Sequence, residues 1–376
     1  MKNEKLTLFE ASAIIAGYGI GGGIMAVPYL ISKTNLYVSL LLILAAYLAS
    51  LLLHLMVAEI TSNEGNLQVV EIAKKYLFKE NKILTSIFFA IILFVFIASL
   101  SVYVAGGADI IRQFFNISGF AAQIIFYAIA ASVALFGLKI LGISEKIAVL
   151  LILVLYVILT GGSFMSGLNP IKIASGGISD YLGIFSMVMF CFAAFFSVPQ
   201  AAKGLDWNKK LIGKSVAIGL GINLVVILVT VFLTLSVSNP VTEVAMIGWS
   251  KGIGAWANVL GSVFIILAML TSYWAISFAL STIVEERIKT NGTISWIIAT
   301  VPSLLLVVLT SGGFIQFINL AAGGIGLIIP ISLIPLFRRR RKFGEDNGFN
   351  IGKWGSLPFQ IIVVVCYILM TIGALI

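Results

Sequence analysis

Gly17-Tyr18-Gly19-Ile20-Gly21-Gly22-Gly23 lies in the middle of an apolar segment that runs from about Phe9 to Ile31. Five glycines in seven residues are out of place in an ordinary spanning helix, since each costs about 1 kcal/mol against alanine in a helix interior. The stretch predicts a helix that breaks at membrane depth. Backbone groups bared there are tolerated only against protein or a water-filled cavity. Two half-helices meeting at the midplane build a small-solute site. Close helix packing through small residues is the competing explanation. Packing needs glycines on one face, and these go all round the helix.

The rest of the chain gives that helix its setting. Hydrophobic residues make up 60% and charged residues only 10%, with a mean hydropathy of +1.12, so the chain reads as an all-α polytopic membrane protein. Stretches near the roughly 20 residues needed to cross a bilayer fall at about 9–32, 37–60, 84–112, 119–138, 143–167, 181–202, 211–237, 255–283, 293–311, 314–336 and 357–375. That predicts eleven transmembrane helices. The first is preceded by a short charged stub and followed by no small-residue cleavage pattern, so it reads as a retained span.

The net charge of +9 follows topology. Assigning loops alternately to two sides puts 20 of the 24 lysines and arginines on one side, Lys2 among them. The other side takes Lys33, Arg112, Lys172 and Lys251. This bias predicts a cytoplasmic amino terminus and an extracellular carboxyl terminus in a cell (inner or plasma) membrane, and excludes a nucleic-acid partner. The Arg338 to Lys342 run reads mainly as topology, with contact to anionic headgroups as the alternative. No nucleophile, base and metal set stands at matched depth, so the chain does not read as an enzyme. Cys191 and Cys366 lie inside spans and suggest neither disulfide nor metal site. His54, in the second span, reads as an interhelical hydrogen-bond partner before a proton relay.

In chain order, Thr7 is placed to cap the first helix. Residues 69, 72, 73, 76 and 77 have helical apolar spacing and predict an amphipathic surface helix. Asp109 reads as interfacial. The sixth span holds Phe190 to Pro199, and Pro199 interrupts it. A second interrupted helix five spans after the first, running the opposite way, is what an inverted five-plus-five repeat produces. The first repeat covers about 7–167, the second about 180–337, and an accessory helix about 357–376. The loop from Ser238 to Gly254, with Trp249 and then Trp256, reads as an interfacial segment over an outer vestibule. Thr271 and Ser272 either bond back to the preceding turn or offer oxygen ligands to a hard cation. Gly323, Gly324 and Gly326 suggest close packing or a gate. No Asp, Glu, Lys or Arg is expected deep near either break; in the fifth span Lys146 reads as sitting near the end.

Gly17 through Pro28 resembles the first-helix signature of the aromatic amino acid permease and amino acid/auxin permease family, within the amino acid-polyamine-organocation superfamily. Glu59 to Leu77 is similar to that family's second-helix end and surface helix, and Phe192 to Pro199 to its interrupted sixth helix. The resemblance implies a LeuT-type fold with 5+5 inverted repeats and broken helices 1 and 6. It also implies a substrate site around Gly17, Tyr18, Gly21, Gly22, Gly23, Tyr103, Phe192, Ala193, Ala194 and Phe195. Amides near Tyr18, Gly21 and Gly22 would take the substrate carboxylate, and carbonyls of Phe192, Ala193 and Ala194 its amine. Thr271 and Ser272, with carbonyls of Ala16, Gly19 and Ala268, resemble a sodium site. Some proton-coupled relatives place a lysine in the fifth helix there, and its absence favours Na+ over H+. Tyr18 and Phe195 depart from the family pattern, which leaves the substrate open.

The expectation is a secondary active transporter that imports neutral L-amino acids, large apolar or aromatic ones first, driven by a cation gradient through alternating access. A zwitterion needs only helix ends, and Phe192, Phe195 and Phe196 suggest an apolar pocket. The partners are then an amino acid, a coupling cation (Na+ or H+, with no other cofactor) and the lipid bilayer, with a monomer as the working unit. The alternative is an amino acid sensor or germinant-receptor-type subunit that binds without transporting.

Overall fold

The computed structural model describes residues 5–65, 67–310, 313–344 and 348–376; Lys2 lies outside them. Thr7 caps the first helix, α1 (Leu8–Gly19): its hydroxyl accepts from the Glu10 amide at 3.2 Å, and Glu10 Oε2 accepts from the Thr7 amide at 2.9 Å. α2 (Gly22–Ile31) completes the same crossing after a bend of 53°. α3 (Leu36–Ser62) returns. The short α4 (Val69–Tyr76) buries Val69, Val70, Ile72 and Ala73 and presents Lys75 to solvent, as its spacing predicts. Lys75 bonds the Glu64 carboxylate at 2.8 Å, which raises its pKa above the ordinary lysine value.

Next come α5 (Lys82–Phe115), α6 (Gly119–Ser132) with a 3₁₀ turn to Phe136, and α7 (Leu138–Ser166). The sixth crossing is split into α8 (Ile178–Cys191) and α9 (Val198–Gly204). α10 (Lys209–Val237) leads to α11 (Ala245–Ile253), a short helix outside the spans, and then to α12 (Ala257–Ile288) and α13 (Gly292–Thr310). α14 (Phe314–Ile328) and α15 (Ile334–Phe343) form one crossing joined by a π-turn, Ile329–Leu333, around Pro330. α16 (Leu357–Leu375) is last. Among the described residues there are ten long apolar spans plus the bent α1–α2 pair, which makes the expected eleven.

Helices in lipid gain little from hydrophobic burial against one another, so close approach at small residues carries the packing. Gly219 of α10 abuts Ile15 and the Ser12 carbonyl of α1, Gly107 of α5 meets the Phe126 ring, and Gly373 of α16 meets the Leu182 carbonyl of α8. Gly324 and Gly326 pack on Val95 and Thr371, the close packing their spacing suggests. Leu41, Leu48, Phe94 and Val157 stay exposed, as an acyl-chain belt requires.

The charged end of α1 is anchored to α7. Glu10 is buried and receives Lys139 at 2.7 Å and Lys146 at 2.9 Å. At the same end of the bundle, Arg341 grips Glu59 through two bonds of 2.5 and 2.8 Å. Arg339 donates to the Leu77 carbonyl at 2.8 Å, and Arg340 is buried beside Glu64. The basic run, read from sequence as a topology signal, thus turns three of its arginines onto the protein. Trp249 departs from the interfacial reading: it is fully buried, and its indole donates to Ser163 Oγ at 2.7 Å.

Candidate functional site: two helix breaks and a buried carboxylate

α1 stops at Gly19. The Ile20 amide closes on the Ala16 carbonyl at 2.8 Å, and the Gly21 amide on the Gly19 carbonyl at 2.8 Å. Gly21 is extended, at φ −131° and ψ −159°, and α2 begins at Gly22 with the orphan amides every helix start carries. Space, not backbone strain, demands glycine at Gly21: a Cβ there would press on Ser272 Oγ at 2.6 Å and on the Tyr103 ring at 2.7 Å. Gly22 lies under Phe314 and Met269, and Gly23 packs on Cys191 Sγ. Gly17 and Tyr18 belong to the last turns of α1, so the Tyr18 amide lies within the helix. Of the three amides expected to meet a carboxylate, Gly22 is the one at a helix start; that of Gly21 is engaged.

The second break is made without glycine. Phe192 (φ −99°, ψ 7°) and Ala194 (φ −86°, ψ 11°) leave the helical path, and a 3₁₀ turn over Phe195–Ser197 leads into α9. Pro199 stands in the first turn of α9, where its missing donor costs nothing. The Phe192 carbonyl accepts from the Ala194 amide at 2.9 Å, and the Ala194 carbonyl from Ser197 N and Oγ at 3.0 and 2.6 Å. The Cys191 carbonyl faces Gly19 across the gap between the two breaks. Phe192 meets Tyr47 edge-on, Phe195 meets His54, and Phe196 meets both Phe195 and Phe96. His54 bonds the Ser50 carbonyl of its own helix at 2.6 Å, and its other ring nitrogen has no partner among the described residues, so the expected interhelical bond is not seen there.

The hydroxyls of α12 reach across to α1. Thr271 Oγ1 donates to the Ala268 carbonyl at 3.0 Å and lies 3.5 Å from the Ile20 carbonyl; Ser272 Oγ donates to the Gly17 carbonyl at 3.0 Å. Hence the carbonyls facing the hydroxyls are those of Gly17 and Ile20. Those of Ala16 and Gly19, named by resemblance, accept from Ile20 and Gly21.

The expectation that no Asp, Glu, Lys or Arg lies deep near either break does not hold. Glu145 of α7 is fully buried, and its carboxylate fills the space where a Gly17 side chain would stand, beside Thr271. Neither of its oxygens has a hydrogen-bond partner among the described residues. Asn223 of α10, also fully buried, has both amide atoms unpartnered among the described residues and lies against Gly19, which the Cys191 carbonyl also faces. Sequence signals existed for both. Asn223 is a lone amide inside an apolar span, and Glu145 was masked by its neighbour Lys146. With the span taken to begin at 143, Glu145 looks interfacial; with α7 beginning at Leu138, it lies two turns inside.

The site is closed on both sides. Tyr18, Tyr103, Phe192, Ala193, Ala194, Thr271 and Ser272 are all buried. Phe314 of α14 covers Gly22 and Gly106 from the end opposite the amino terminus. Towards the amino-terminal end, the Gln200 amide of α9 donates to the Phe196 carbonyl at 2.6 Å while its oxygen accepts from Thr282 of α12 at 3.1 Å.

Among solved structures, the chain is similar to MhsT in complex with L-phenylalanine (TM-score 0.68, 14% identity, 100% of each chain covered). It is also similar to MHP1, a nucleobase-cation-symport-1 family transporter (TM-score 0.66, 12% identity, 99% of this chain and 92% of that one). These likenesses give the chain the LeuT-type fold. Among curated proteins it is 22% identical to Glutamine transporter 2 of Aliivibrio fischeri over 356 residues, 89% of this chain and 90% of that protein. The model of the tryptophan/tyrosine permease family matches residues 4–374. The chain is therefore a multi-pass membrane transporter of the amino acid permease type, not an enzyme, and it belongs to the tryptophan/tyrosine permease family.

Proposed function

We propose that this chain imports neutral L-amino acids, large apolar or aromatic ones by preference, into the cell, driven by a cation gradient through alternating access. One observation carries the reading. The groups that close on Gly21 and Gly22, the orphan-amide end of α2, are Tyr103, Ser272, Phe314 and Met269, an apolar and hydroxyl surround without charge. A substrate carboxylate fits the amide end of the half-helix, and an uncharged side chain fits the aromatic walls. A charged side chain there would require a buried countercharge. The amino acids in the names of the similar proteins and family, glutamine, tryptophan, tyrosine and phenylalanine, are all neutral, whereas MHP1 is named for nucleobases. The α12 hydroxyls with the Gly17 and Ile20 carbonyls offer oxygen ligands to a hard cation, Na+ before H+. The amino terminus and the basic end of the bundle face the cytoplasm, and a monomer suffices as the working unit.

The test is uptake of labelled leucine, tryptophan, glutamine, arginine and glutamate into proteoliposomes, under an inward Na+ gradient or an inward H+ gradient at matched membrane potential. The expected outcome is cation-driven accumulation of the neutral set, reduced at least tenfold, on the order of 1.4 kcal/mol, in Thr271→Ala and Ser272→Ala. Faster transport of arginine or glutamate than of leucine and tryptophan would overturn the substrate assignment. Intact binding without any uptake would favour a sensor.

A further inference from the structure

We propose that the chain holds an anionic phospholipid away from the helix breaks, its phosphate in a basic cleft at the amino-terminal end of the bundle and an acyl chain in an apolar groove between α5, α14 and α16.

The basic run from Arg338 to Lys342 divides by face. Arg339, Arg340 and Arg341 turn onto the protein, whereas Arg338 and Lys342, one helical turn apart on α15, stay exposed. Lys75 of α4 and Lys79 of the turn before α5 join them. With Arg339 and Phe343 these residues line a cleft of about 810 Å³. The turn holds Lys79 in place: the Phe78 amide bonds the Ala73 carbonyl at 2.9 Å, the Glu80 amide the Lys74 carbonyl at 3.0 Å, and the Asn81 amide the Phe78 carbonyl at 3.0 Å. The carboxylates of this corner are taken. Glu64 holds Lys75 and Arg340, Glu71 holds Lys74 and Arg287, and Glu80 holds Lys74. Among the described residues, Lys79, Arg338 and Lys342 meet no carboxylate, and Arg339 bonds the carbonyls of Tyr76 and Leu77. Cations gathered in a cleft at a membrane surface without a countercharge fit a phosphate.

A groove on the same side of the bundle selects a lipid over a free phosphate. It measures about 490 Å³, with Gly323 and Gly324 among its lining and Ile91, Phe94, Leu327 and Ile331 as its apolar walls. A Cβ on Gly323 would meet nothing nearer than Ala374, at 3.8 Å, so the space over it is open. The two hydroxyls in the lining are satisfied within their own helices, Ser332 by the Ile328 carbonyl at 2.6 Å and Thr371 by the Tyr367 carbonyl at 3.1 Å. Two features join groove to cleft. Phe88, in the groove lining, packs on Phe78, the residue before Lys79, with ring centroids 5.5 Å apart. On α14 and α15 the exposed positions Leu327, Ile331, Arg338 and Lys342 follow one another at helical spacing, apolar first and then basic. From Arg338 to Gly324 is about 20 Å of helix, a little more than half of the roughly 30 Å hydrocarbon core. One acyl chain of a lipid in that leaflet therefore reaches the glycines while its phosphate lies in the cleft.

The experiment titrates the full chain in detergent with phosphatidylglycerol or with phosphatidylcholine of the same acyl chains, counting bound lipid by native mass spectrometry and following thermal unfolding alongside. Wild type should hold one phosphatidylglycerol roughly tenfold more tightly than phosphatidylcholine and unfold at a higher temperature in its presence. Lys79→Gln, Arg338→Gln and Lys342→Gln together should weaken phosphatidylglycerol roughly a hundredfold, at about fivefold for each charge removed. All three side chains are exposed, so the melting temperature without lipid should stay at the wild-type value. Gly323→Leu fills the groove and leaves every charge in place, and it should weaken phosphatidylglycerol by roughly tenfold. Excess inorganic phosphate should leave the lipid bound. Displacement by inorganic phosphate together with indifference to Gly323→Leu would assign the cleft to a soluble phosphate and overturn the lipid. Phosphatidylglycerol held equally by wild type and the triple variant, or no more tightly than phosphatidylcholine, overturns the proposal. A lipid-free dimer that is lost in Gly323→Leu overturns it too, by giving the groove to a second copy of the chain.

Discussion

At the scale of single residues, the site is shaped by volume left out. Gly17 makes room for the Glu145 carboxylate, Gly21 for Ser272 and Tyr103, and Gly19 for Asn223 and the Cys191 carbonyl. None of these glycines needs a left-handed backbone, so each can be tested by adding one methyl. In Gly17→Ala the new Cβ meets Glu145 and Thr271. Overpacking of this kind costs about 1–3 kcal/mol, and the carboxylate is the part able to yield. Gly17→Ala should therefore destabilise the protein to chemical unfolding in detergent, and Gly17→Ala combined with Glu145→Ala should recover most of the loss. A coupling energy of roughly 0.5–3 kcal/mol in that cycle is expected for groups in contact; additive losses would mean the two residues do not share the space. The sequence announced the glycines clearly. It could not show which neighbour each glycine serves, because Glu145 and Gly17 are 128 positions apart.

At the scale of elements, the amino-terminal end of the bundle is held by ion pairs drawn from distant helices. Arg341 of α15 meets Glu59 of α3, which is 1% exposed and also accepts from the Ile351 amide at 2.9 Å. Removing one partner of a buried pair leaves the other uncompensated, at a cost of about 3–5 kcal/mol. Arg341→Ala should lower unfolding stability by that order, and Arg341→Met with Glu59→Gln by distinctly less. Equal losses would show that the pair's charge is not what matters. Hydropathy located every span, and the two breaks were legible from glycine density and from Pro199. Charge was less legible: Arg339 to Arg341 and Lys146 look like plain interfacial residues in one dimension, and only the fold reveals which carboxylates they meet. Trp249 misled for a related reason, since an aromatic in a loop reads as interfacial until the Ser163 hydroxyl appears beneath it. The π-turn around Pro330 left no periodic trace at all.

At the scale of the whole molecule, the closed site poses the question of how either face opens. Two covers stand on opposite sides of the breaks: Phe314 over Gly22 and Gly106, and Gln200 tying α9 to Thr282 of α12. Both covers attach to half-helices or to the helices beside them, so each is positioned to move with one break. If the breaks belong to one two-state device, loosening one cover shifts the population towards the state open on that side and tightens the other cover. Gln200→Ala should then speed hydrogen exchange over residues 195–204 and slow it around Phe314, while Phe314→Ala should do the reverse. Deletion of one hydrogen-bonded partner is worth about 1 kcal/mol, roughly a fivefold change in such a population. Exchange rising at both covers in either variant would mean local loosening, and the two breaks would then have to be regarded as independent hinges. With both covers responding in opposition, the two breaks act as one device, and the buried contact of Glu145 with Gly17 of α1 and Thr271 of α12 belongs to the closed state that both covers seal.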